Sequence, residues 1–257
     1  MTDEPIRRPR GPVALALFAL LGLVLFSSFV ALGTWQVKRL SWKRDLIARV
    51  DARVHATPVA TPTPDQWPAI TAESAEYRHV SLHGRFLHDR QTLVWTATDF
   101  GSGYWVMTPL QQDDGSIVLV NRGFAPADWC GAKRACPLGP VGETALTGLL
   151  RMSEPSGLLR SNDSARNSWY TRDVAAIAKA RGLDRAAPFF VDEDAAPGTL
   201  DQGKPSWPQG GLTVTAFPNN HLSYLITWYA LALLVLGAAI YVGRDEYRLR
   251  RTQPGPL

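Results

Sequence analysis

The residues whose type and spacing could do chemistry gather around His221, which directly precedes an apolar run over residues 222–242. If that run is helical, His221, Tyr224 and Trp228 share one face, because residues three, four and seven apart are neighbours on a helix. An imidazole beside an aromatic wall can ligate a haem iron while the flat macrocycle packs on the rings. A capping or interfacial histidine has the same spacing, so the residues alone leave both interpretations open.

Two further histidines, His79 and His83, are four residues apart, which on a helix is the spacing of a metal-ligand pair. Their segment alternates polar and apolar residues, however, and this period is typical of a strand. Val80 and Leu82 then share one face and the histidines the other. We therefore expect His79 and His83 on the solvent face of a strand and not at a metal site.

Cys130 and Cys136 are the only cysteines in the chain. In an exported loop they could close a small disulfide or remain free thiols. A copper or redox pair is disfavoured, because metal pairs use tighter spacing and further ligands nearby.

Two apolar runs bracket the chain, over residues 13–32 and 222–242, and neither contains Lys, Arg, Asp or Glu. Each is long enough to cross the bilayer hydrocarbon as a helix, which takes about 20 residues. Two spans place both termini on one side, and the arginine-rich short tails predict that this side is cytoplasmic. The first run is longer than a signal peptide's apolar segment, which predicts an uncleaved anchor. A bacterial plasma (inner) membrane is the simplest location, with the central domain periplasmic or otherwise extracytoplasmic.

The formal net charge is +4, and the basic residues cluster beside the two apolar runs. This placement predicts contacts with anionic lipid head groups. No nucleic-acid-binding motif accompanies the basic residues, so we expect no nucleic-acid partner.

The order of composition shifts divides the chain into seven segments. Trp35, Trp42 and Leu46 fall at helical spacing after the first apolar run, prolines dominate the next stretch, and Asn219 or Asn220 can cap the last helix. The predicted segments are a cytoplasmic tail (1–12), a transmembrane helix (13–32), an amphipathic juxtamembrane helix (33–56), a Pro-rich, helix-free connector (57–76), an exported β-rich domain (77–218), a transmembrane helix with its N-cap (219–242) and a basic cytoplasmic tail (243–257).

The central segment alternates short runs of β-branched and aromatic residues with turn signals. The step from Asp114 to Gly115 predicts a hairpin, and one helix can begin at an Asp173 cap and end at Gly182. The fold class is thus a membrane protein, two transmembrane helices flanking a mainly antiparallel β domain, a sandwich or partly open barrel, with one or two helices. The predicted strands are residues 77–86, 91–98, 104–110, 117–120, 145–152, 169–171, 189–191 and 212–217.

Several segments together resemble one family, the Surfeit-locus assembly factors for cytochrome c oxidase. The Asn-Arg-Gly-aromatic-x-Pro and Asn-Asn-His stretches are the specific ones, although Phe124 stands where the family more often has Trp. The segments that carry the resemblance are Leu-Gly-Thr-Trp-Gln-Val-Lys-Arg at 32–39, Tyr-Arg-His-Val at 77–80 with Gly-Arg-Phe at 84–86, Gly-Tyr-Trp-Val-Met-Thr-Pro-Leu at 103–110, Val-Leu-Val-Asn-Arg-Gly-Phe-Ala-Pro at 118–126 and Asn-Asn-His-Leu-Ser-Tyr at 219–224.

The resemblance implies a role in oxidase maturation, in which haem a is bound transiently and delivered to the large catalytic subunit. The implied partners are that subunit, haem a synthase and membrane lipid. The resemblance also makes His221 the leading candidate ligand of the haem iron, while a basic rim at Lys38 and Arg39 is expected to receive the propionates. The expected cofactor-binding residues are therefore His221, Tyr224, Trp228, Lys38, Arg39 and Trp35.

Asn121 and Arg122 have two interpretations. They contact a partner or a propionate, or they only shape a strand end with Gly123 at positive φ. We place no general base, nucleophile or activated water in the sequence, so we expect a protein that is not an enzyme. The alternatives are a cofactor-free scaffold that binds an oxidase subunit and, third, an exported membrane-anchored hydrolase. The sequence does not fix a second axial ligand, a homo-oligomeric state or the oxidase that is served.

Overall fold

The computed structural model describes residues 9–130, 139–157, 160–196 and 207–252. The chain divides into two compact units, a helical unit of Met1–Ala48 with Ala216–Leu257 and a β unit of Arg49–Thr215. The elements are, in chain order, α1 (Pro12–Val54), β1 (Val59–Ala60), α2 (Ala72–Ala75), β2 (His79–Phe86), β3 (Thr92–Thr98), β4 (Gly101–Gln111), β5 (Ile117–Pro126), β6 (Glu143–Met152), α3 (Val174–Arg181), β7 (Ala186–Glu193) and α4 (His221–Thr252), with 3-10 turns at Trp67–Ala69 and His88–Arg90.

Within the described residues, two helices are long and apolar enough to cross a membrane, α1 and α4. α1 runs without interruption through both the predicted first span and the predicted juxtamembrane helix, because no proline follows Pro12 within it. Pro12 itself stands at the first helical position, where its missing N–H is harmless. α4 likewise continues to Thr252, beyond the end of the apolar run.

In the helical unit, α1 and α4 pack in antiparallel fashion. Phe29 of α1 stacks on Trp228 of α4, with ring centroids 5.8 Å apart. Near the other ends of the pair, Glu246 is buried and its Oε1 accepts a hydrogen bond of 2.8 Å from the backbone N–H of Arg10. The guanidinium of Arg10 also lies 3.7 Å from Glu246 Oε2. The buried carboxylate is thus accompanied by a cation and a backbone donor, as burial of a charge requires.

The β unit is built on one sheet of seven strands in the order β1-β2-β6-β7-β5-β4-β3. β2 also pairs with β4, through Arg85 with Gln111 and Phe86 with Leu110. This pairing closes β2, β6, β7, β5 and β4 into a ring, and β1 and β3 attach outside it. Only β1–β2 and β5–β7 are parallel among the described pairings. The prediction of a mainly antiparallel β domain is confirmed, and of the two predicted architectures, sandwich and barrel, the structure has the barrel.

Two apolar clusters hold the ring together. One fills its interior with side chains from all five ring strands, including Leu82, Val120 and Phe189. The other packs α3 against the outside through residues such as Ile177 and Phe190. β5 lies between the clusters and is buried along almost its whole length, which is why its first part, residues 117–120, is a continuous apolar run instead of an alternating one.

Local turn and cap chemistry agrees with the sequence. The hairpin between β4 and β5 turns at Gly115, whose φ is 77°, and Asp114 Oδ1 accepts from the N–H of Ser116 at 2.8 Å. The side chain of Asp173 caps α3, and Gly182 ends it in the left-handed region. Both predictions are confirmed.

Three details differ from the sequence predictions. The connector is not free of helix, because Thr71 and Ser74 form a reciprocal capping box that begins α2 after the last of the prolines. Residues 169–171 form only an isolated bridge, from Trp169 to Val94. Residues 212–217 form no ladder, since every ring strand already pairs along both edges.

Of the two cysteines, Cys130 is buried and disulfide-bonded. The predicted alternative of free thiols is therefore wrong for Cys130. Cys136 lies outside the described residues.

Candidate functional site

The imidazole of His221 contacts a buried glutamine in the helical unit. His221 Nδ1 lies 2.8 Å from Oε1 of Gln36, and Gln36 is only 7% exposed. With the Gln36 amide in this orientation, its oxygen accepts a hydrogen bond, so Nδ1 carries the proton and donates. The lone pair is then on Nε2. A histidine that is held in this way presents a single, defined nitrogen to a ligand.

The helix geometry explains why these two residues meet. Phe29, Gly33 and Gln36 are four and three residues apart along α1, so they share the face that packs on α4. A side-chain carbon at Gly33 would lie 3.0 Å from the ring of Tyr229. The absence of a side chain there allows α4 to approach, and the hydroxyls of Thr34 and Tyr229 lie 3.3 Å apart beside it.

The start of α4 fixes His221 from the other side. Asn219 Oδ1 accepts a hydrogen bond of 3.3 Å from the backbone N–H of His221, so the predicted cap by an asparagine is observed. His221 is thus the first residue of α4, and its position is set by a cap on its backbone and by Gln36 on its ring.

Trp228 extends the site along α4. Its ring stacks on Phe29, and its indole Nε1 is buried with no hydrogen-bond partner in the part of the chain that the structure describes. A buried donor without an acceptor is costly, so this indole N–H calls for an explanation, and a functional role is one of those known for such groups. Trp228 is therefore placed on the packed face that His221 begins, as the spacing predicted.

The other four predicted site residues lie on the exposed surface of the helices. Trp35 is 53% exposed and Tyr224 55%, and Lys38 and Arg39 are also exposed. The guanidinium of Arg39 lies 4.5 Å from the ring centroid of Trp42. Trp35, Arg39 and Trp42 follow helical spacing and form a basic, aromatic surface of α1 next to the packed face. Their role as cofactor-binding residues stays a prediction.

The residues of the site fit a haem on the criteria that the structure offers. Nε2 of His221 has no hydrogen bond to any described residue, and the contact of Nδ1 with Gln36 orients the ring, as an axial imidazole ligand needs. Trp228 and Tyr224 are aromatic, and Arg39 and Lys38 are exposed cations that can pair with carboxylates.

Sequence reasoning missed the role of Gln36, although it lies in a segment that was singled out. The signal was present: Gln36 is an uncharged polar residue that continues the spacing of Phe29 and Gly33 just beyond the apolar run. A polar residue that is buried on the same helix face as Phe29 and Gly33 needs a hydrogen-bond partner from the facing helix. Only the pairing of α1 with α4 identifies that partner as His221.

The histidines of β2 take different positions. His83 is exposed and its Nδ1 lies 3.2 Å from Asp113, as expected for the solvent face of a strand. His79 is less exposed than predicted, because its Nε2 and Nδ1 contact Asp194 and the carbonyl of Ala56. Both nitrogens of His79 are therefore engaged.

Asn121 has a structural role in the β unit. Its Nδ2 donates to Oδ1 of Asp192 at 2.7 Å, and its Oδ1 accepts from the N–H of Gly123. Gly123 has a φ of 115° and lies against the backbone of Gln209, where a side chain would collide. Gly123 thus has the predicted positive φ, and Asn121 and Gly123 shape the backbone inside β5, whereas the prediction that they mark a strand end is wrong, since β5 continues to Pro126.

Asp192 is the hub of a buried polar cluster. It is 5% exposed and accepts hydrogen bonds from Asn121, Arg172, Arg151 and Thr213. Burial by itself would lower the pKa of Arg172, but the charges of Asp192 and Glu154 outweigh it and raise that pKa. The guanidinium of Arg172 is thus paired with two carboxylates, which suits a structural role.

Comparisons with known proteins agree with the motifs. A family model described as the SURF1 family matches residues 23–233. The chain is similar to Surfeit locus protein 1 of Mus musculus, with 34% identity over 226 residues, 81% of this chain and 70% of the relative. Surfeit locus protein 1 of Homo sapiens is 33% identical over 219 residues, 78% and 69% of the two chains. A SURF1-like protein of Drosophila melanogaster is 34% identical over 233 residues, 82% and 72%.

Proposed function

We propose a function from one premise: the chain belongs to the SURF1 family, the cytochrome c oxidase assembly factors that its motifs resemble. As a member of that family it assists oxidase assembly. The finer proposal is that the helical unit holds haem a as cargo and hands it to the large catalytic subunit. The observation that carries this proposal is the contact between His221 and Gln36, in which the ring tautomer is fixed and Nε2 is left as a ligand.

The haem iron, when bound, supplies the electrophile that an imidazole nitrogen ligates. His221 offers Nε2 for this purpose, and Gln36 holds the ring so that Nε2 keeps its lone pair. Trp228 contributes a flat apolar wall and an indole N–H. Lys38 and Arg39 pair with the propionates as exposed cations. None of these residues needs to exchange a proton, so the role is that of a chaperone and not of an enzyme.

The proposed location is a bacterial inner membrane, with α1 and α4 as spans, and haem a synthase and the large subunit as membrane partners. Arginines near both ends of the chain favour a cytoplasmic location for both termini. A reporter that is active only in the periplasm should be inactive when it is fused after residue 252 and active when it is inserted at the exposed turn at Asp113. The reverse pattern would contradict the proposed orientation.

The haem proposal is tested by the visible spectrum of the full chain, purified after co-expression with the enzymes that make haem a. We expect a Soret band in the wild type and its loss in His221→Ala. His83→Ala is the matched control, because His83 is an exposed histidine of β2 and should leave the band unchanged. Arg39→Ala should reduce the haem content without changing the unfolding midpoint.

Two results would contradict the haem proposal. A colourless wild type that still captures the large subunit would favour the cofactor-free scaffold. A band that survives in His221→Ala but not in His83→Ala would move the ligand to the β unit.

A further inference from the structure

The β unit contains a buried arginine with a guanidinium nitrogen that has no hydrogen-bond partner among the described residues. Arg122 of β5 is 9% exposed, and its Nη1 is buried with no hydrogen-bond partner among the described residues. A guanidinium has five N–H donors, and burying it unpaired costs free energy. Each such group needs an explanation, and sequences keep them mostly where they function.

The backbone aims Arg122 at this position. The β4–β5 ladder shifts register between Trp105 and Met107, opposite residues 121–124 of β5. Such irregularities occur often beside functional sites, where they redirect a side chain. The guanidinium carbon of Arg122 lies 5.5 Å from the ring centroid of Phe86. Phe86 belongs to the apolar cluster inside the ring of strands, so Arg122 adjoins that interior.

A second unpartnered polar atom lies against the same ring. The imidazole of His88 is 5.7 Å from Phe86, centroid to centroid. His88 Nε2–H donates to the carbonyl of Pro140 at 2.8 Å, and its Nδ1 is buried with no partner in the described part of the chain. The neighbouring Gly139 lies directly against the guanidinium of Arg122, so that a side-chain carbon at this position would require the guanidinium to move. Arg122 and His88 thus share Phe86 as a neighbour, and each also contacts one of the two consecutive residues 139–140.

The charges nearby favour a ligand with a single negative charge. Glu193 of β7 is the acidic group whose field acts on Arg122, and no ion pair joins the two among the described residues. A dianion such as phosphate would add more negative charge beside Glu193 than a carboxylate does. A carboxylate also matches the planar pair of N–H donors of one guanidinium.

We propose that Arg122 and His88 form a binding site for a carboxylate group at the interior of the β barrel. Arg122 donates through its fork of N–H groups, and His88 adds a donor when Nδ1 is protonated. The carboxylate belongs either to a small free acid or to a polypeptide that presents its C-terminus. The inference does not depend on the haem proposal, because it uses only residues of the β unit.

The test is the thermal unfolding midpoint of the full chain in detergent, in sodium acetate and in sodium chloride at equal ionic strength and one pH. A ligand that binds only the folded state raises the midpoint, so acetate should raise it by several degrees in the wild type. Arg122→Lys keeps the charge and loses the fork, and it should show no rise. Arg122→Met should show no rise either, and in chloride it should be at least as stable as the wild type, because it removes an unpaired buried charge.

Equal rises in the wild type and Arg122→Lys would overturn the proposal, as would no rise in the wild type. An equal rise with inorganic phosphate would overturn the carboxylate class, and a lower midpoint of Arg122→Met in chloride would overturn the functional interpretation of the unpaired charge.

N-acetyl-diglycine as free acid and as amide separates the two sources of the carboxylate. If the rise in the unfolding midpoint saturates at a lower concentration of the N-acetyl-diglycine acid than of acetate, the ligand is a polypeptide C-terminus. If it saturates at a lower concentration of acetate, the ligand is a small acid. His221→Ala should keep the acetate response, which separates this site from the haem site.

Discussion

At the scale of single residues, the contact between His221 and Gln36 joins the first and the last described helix of the chain, α1 and α4. Each residue alone is ordinary: a histidine at a helix start and a glutamine beyond an apolar run. Together they define which imidazole nitrogen is available. The exposed residues around them, such as Trp35 and Tyr224, have no comparable constraint.

Removing the acceptor on Gln36 should weaken haem binding without unfolding the helices. Gln36→Leu keeps a similar volume but frees the ring of His221, and loss of such a supporting hydrogen bond typically costs about 10–100-fold in metal affinity. Haem titration of the purified protein measures it. Gln36→Glu keeps an acceptor and should retain most of the affinity, and Val37→Ala is the control on the exposed face. Equal affinities in all three variants would remove Gln36 from the site.

The sequence predicted His221 and Trp228 on one face, since helical spacing alone determines that. It did not predict the partner of His221, because Gln36 is distant in the sequence and only the packing of α1 on α4 brings it near. The same limit applies to Arg122, whose missing hydrogen bond is visible only once its neighbours are placed.

At the scale of elements, Gly33 controls the approach of α1 to α4. A carbon added at Gly33 would lie 3.0 Å from the ring of Tyr229, whereas one at Gly22 would meet nothing within 4 Å. Small residues at such crossings let two membrane helices pack closely.

Gly33→Leu should therefore separate the helices, and overpacking of this kind costs about 1–3 kcal/mol. We expect a lower free energy of unfolding in detergent and a lower haem content. Gly22→Leu makes the same change on the same helix and should alter neither. Similar losses in both variants would show that the bulk of leucine, and not the crossing, is responsible.

The elements themselves followed from the sequence where local chemistry decides them. The Asp173 cap, the Gly182 end and the Asp114-Gly115 turn are local signals, and each lies where it was predicted. The barrel closure by Arg85 and Phe86 with β4 is not local, so the sequence left sandwich and barrel open. The sequence prediction contains no helix at the Thr71 capping box, because the prolines before it predict an extended chain.

At the scale of the whole molecule, Glu193 gives folding a dependence on pH. Burial raises its pKa from the usual 4.5 to about 7, with Arg122 opposing and Asp194 adding to the shift. The unfolded chain releases this proton near its usual pKa, while the folded chain keeps it longer. The contribution of Glu193 is therefore most favourable below pH 4.5 and is lost as the pH rises to about 7.

Glu193→Gln should remove this dependence. Relative to the wild type, the variant should gain about 2–3 kcal/mol of stability between pH 5 and pH 8. Chemical denaturation at the two pH values measures the difference. Glu143→Gln changes an exposed carboxylate and should leave the profile unchanged. Parallel pH profiles of the wild type and Glu193→Gln would show that burial of Glu193 does not affect folding.

The order of the strands also constrains how the barrel is completed during synthesis. β7 fits between β5 and β6, and it is the last strand of the ring in the chain. One edge of β5 is therefore unpaired until residues 186–193 are available to pair with it. During synthesis, one side of this apolar strand stays uncovered until some sixty further residues have been translated, because that number of residues separates β5 from β7 along the chain. A nascent chain of this kind is exposed to aggregation over that interval, so its biogenesis favours a protective companion.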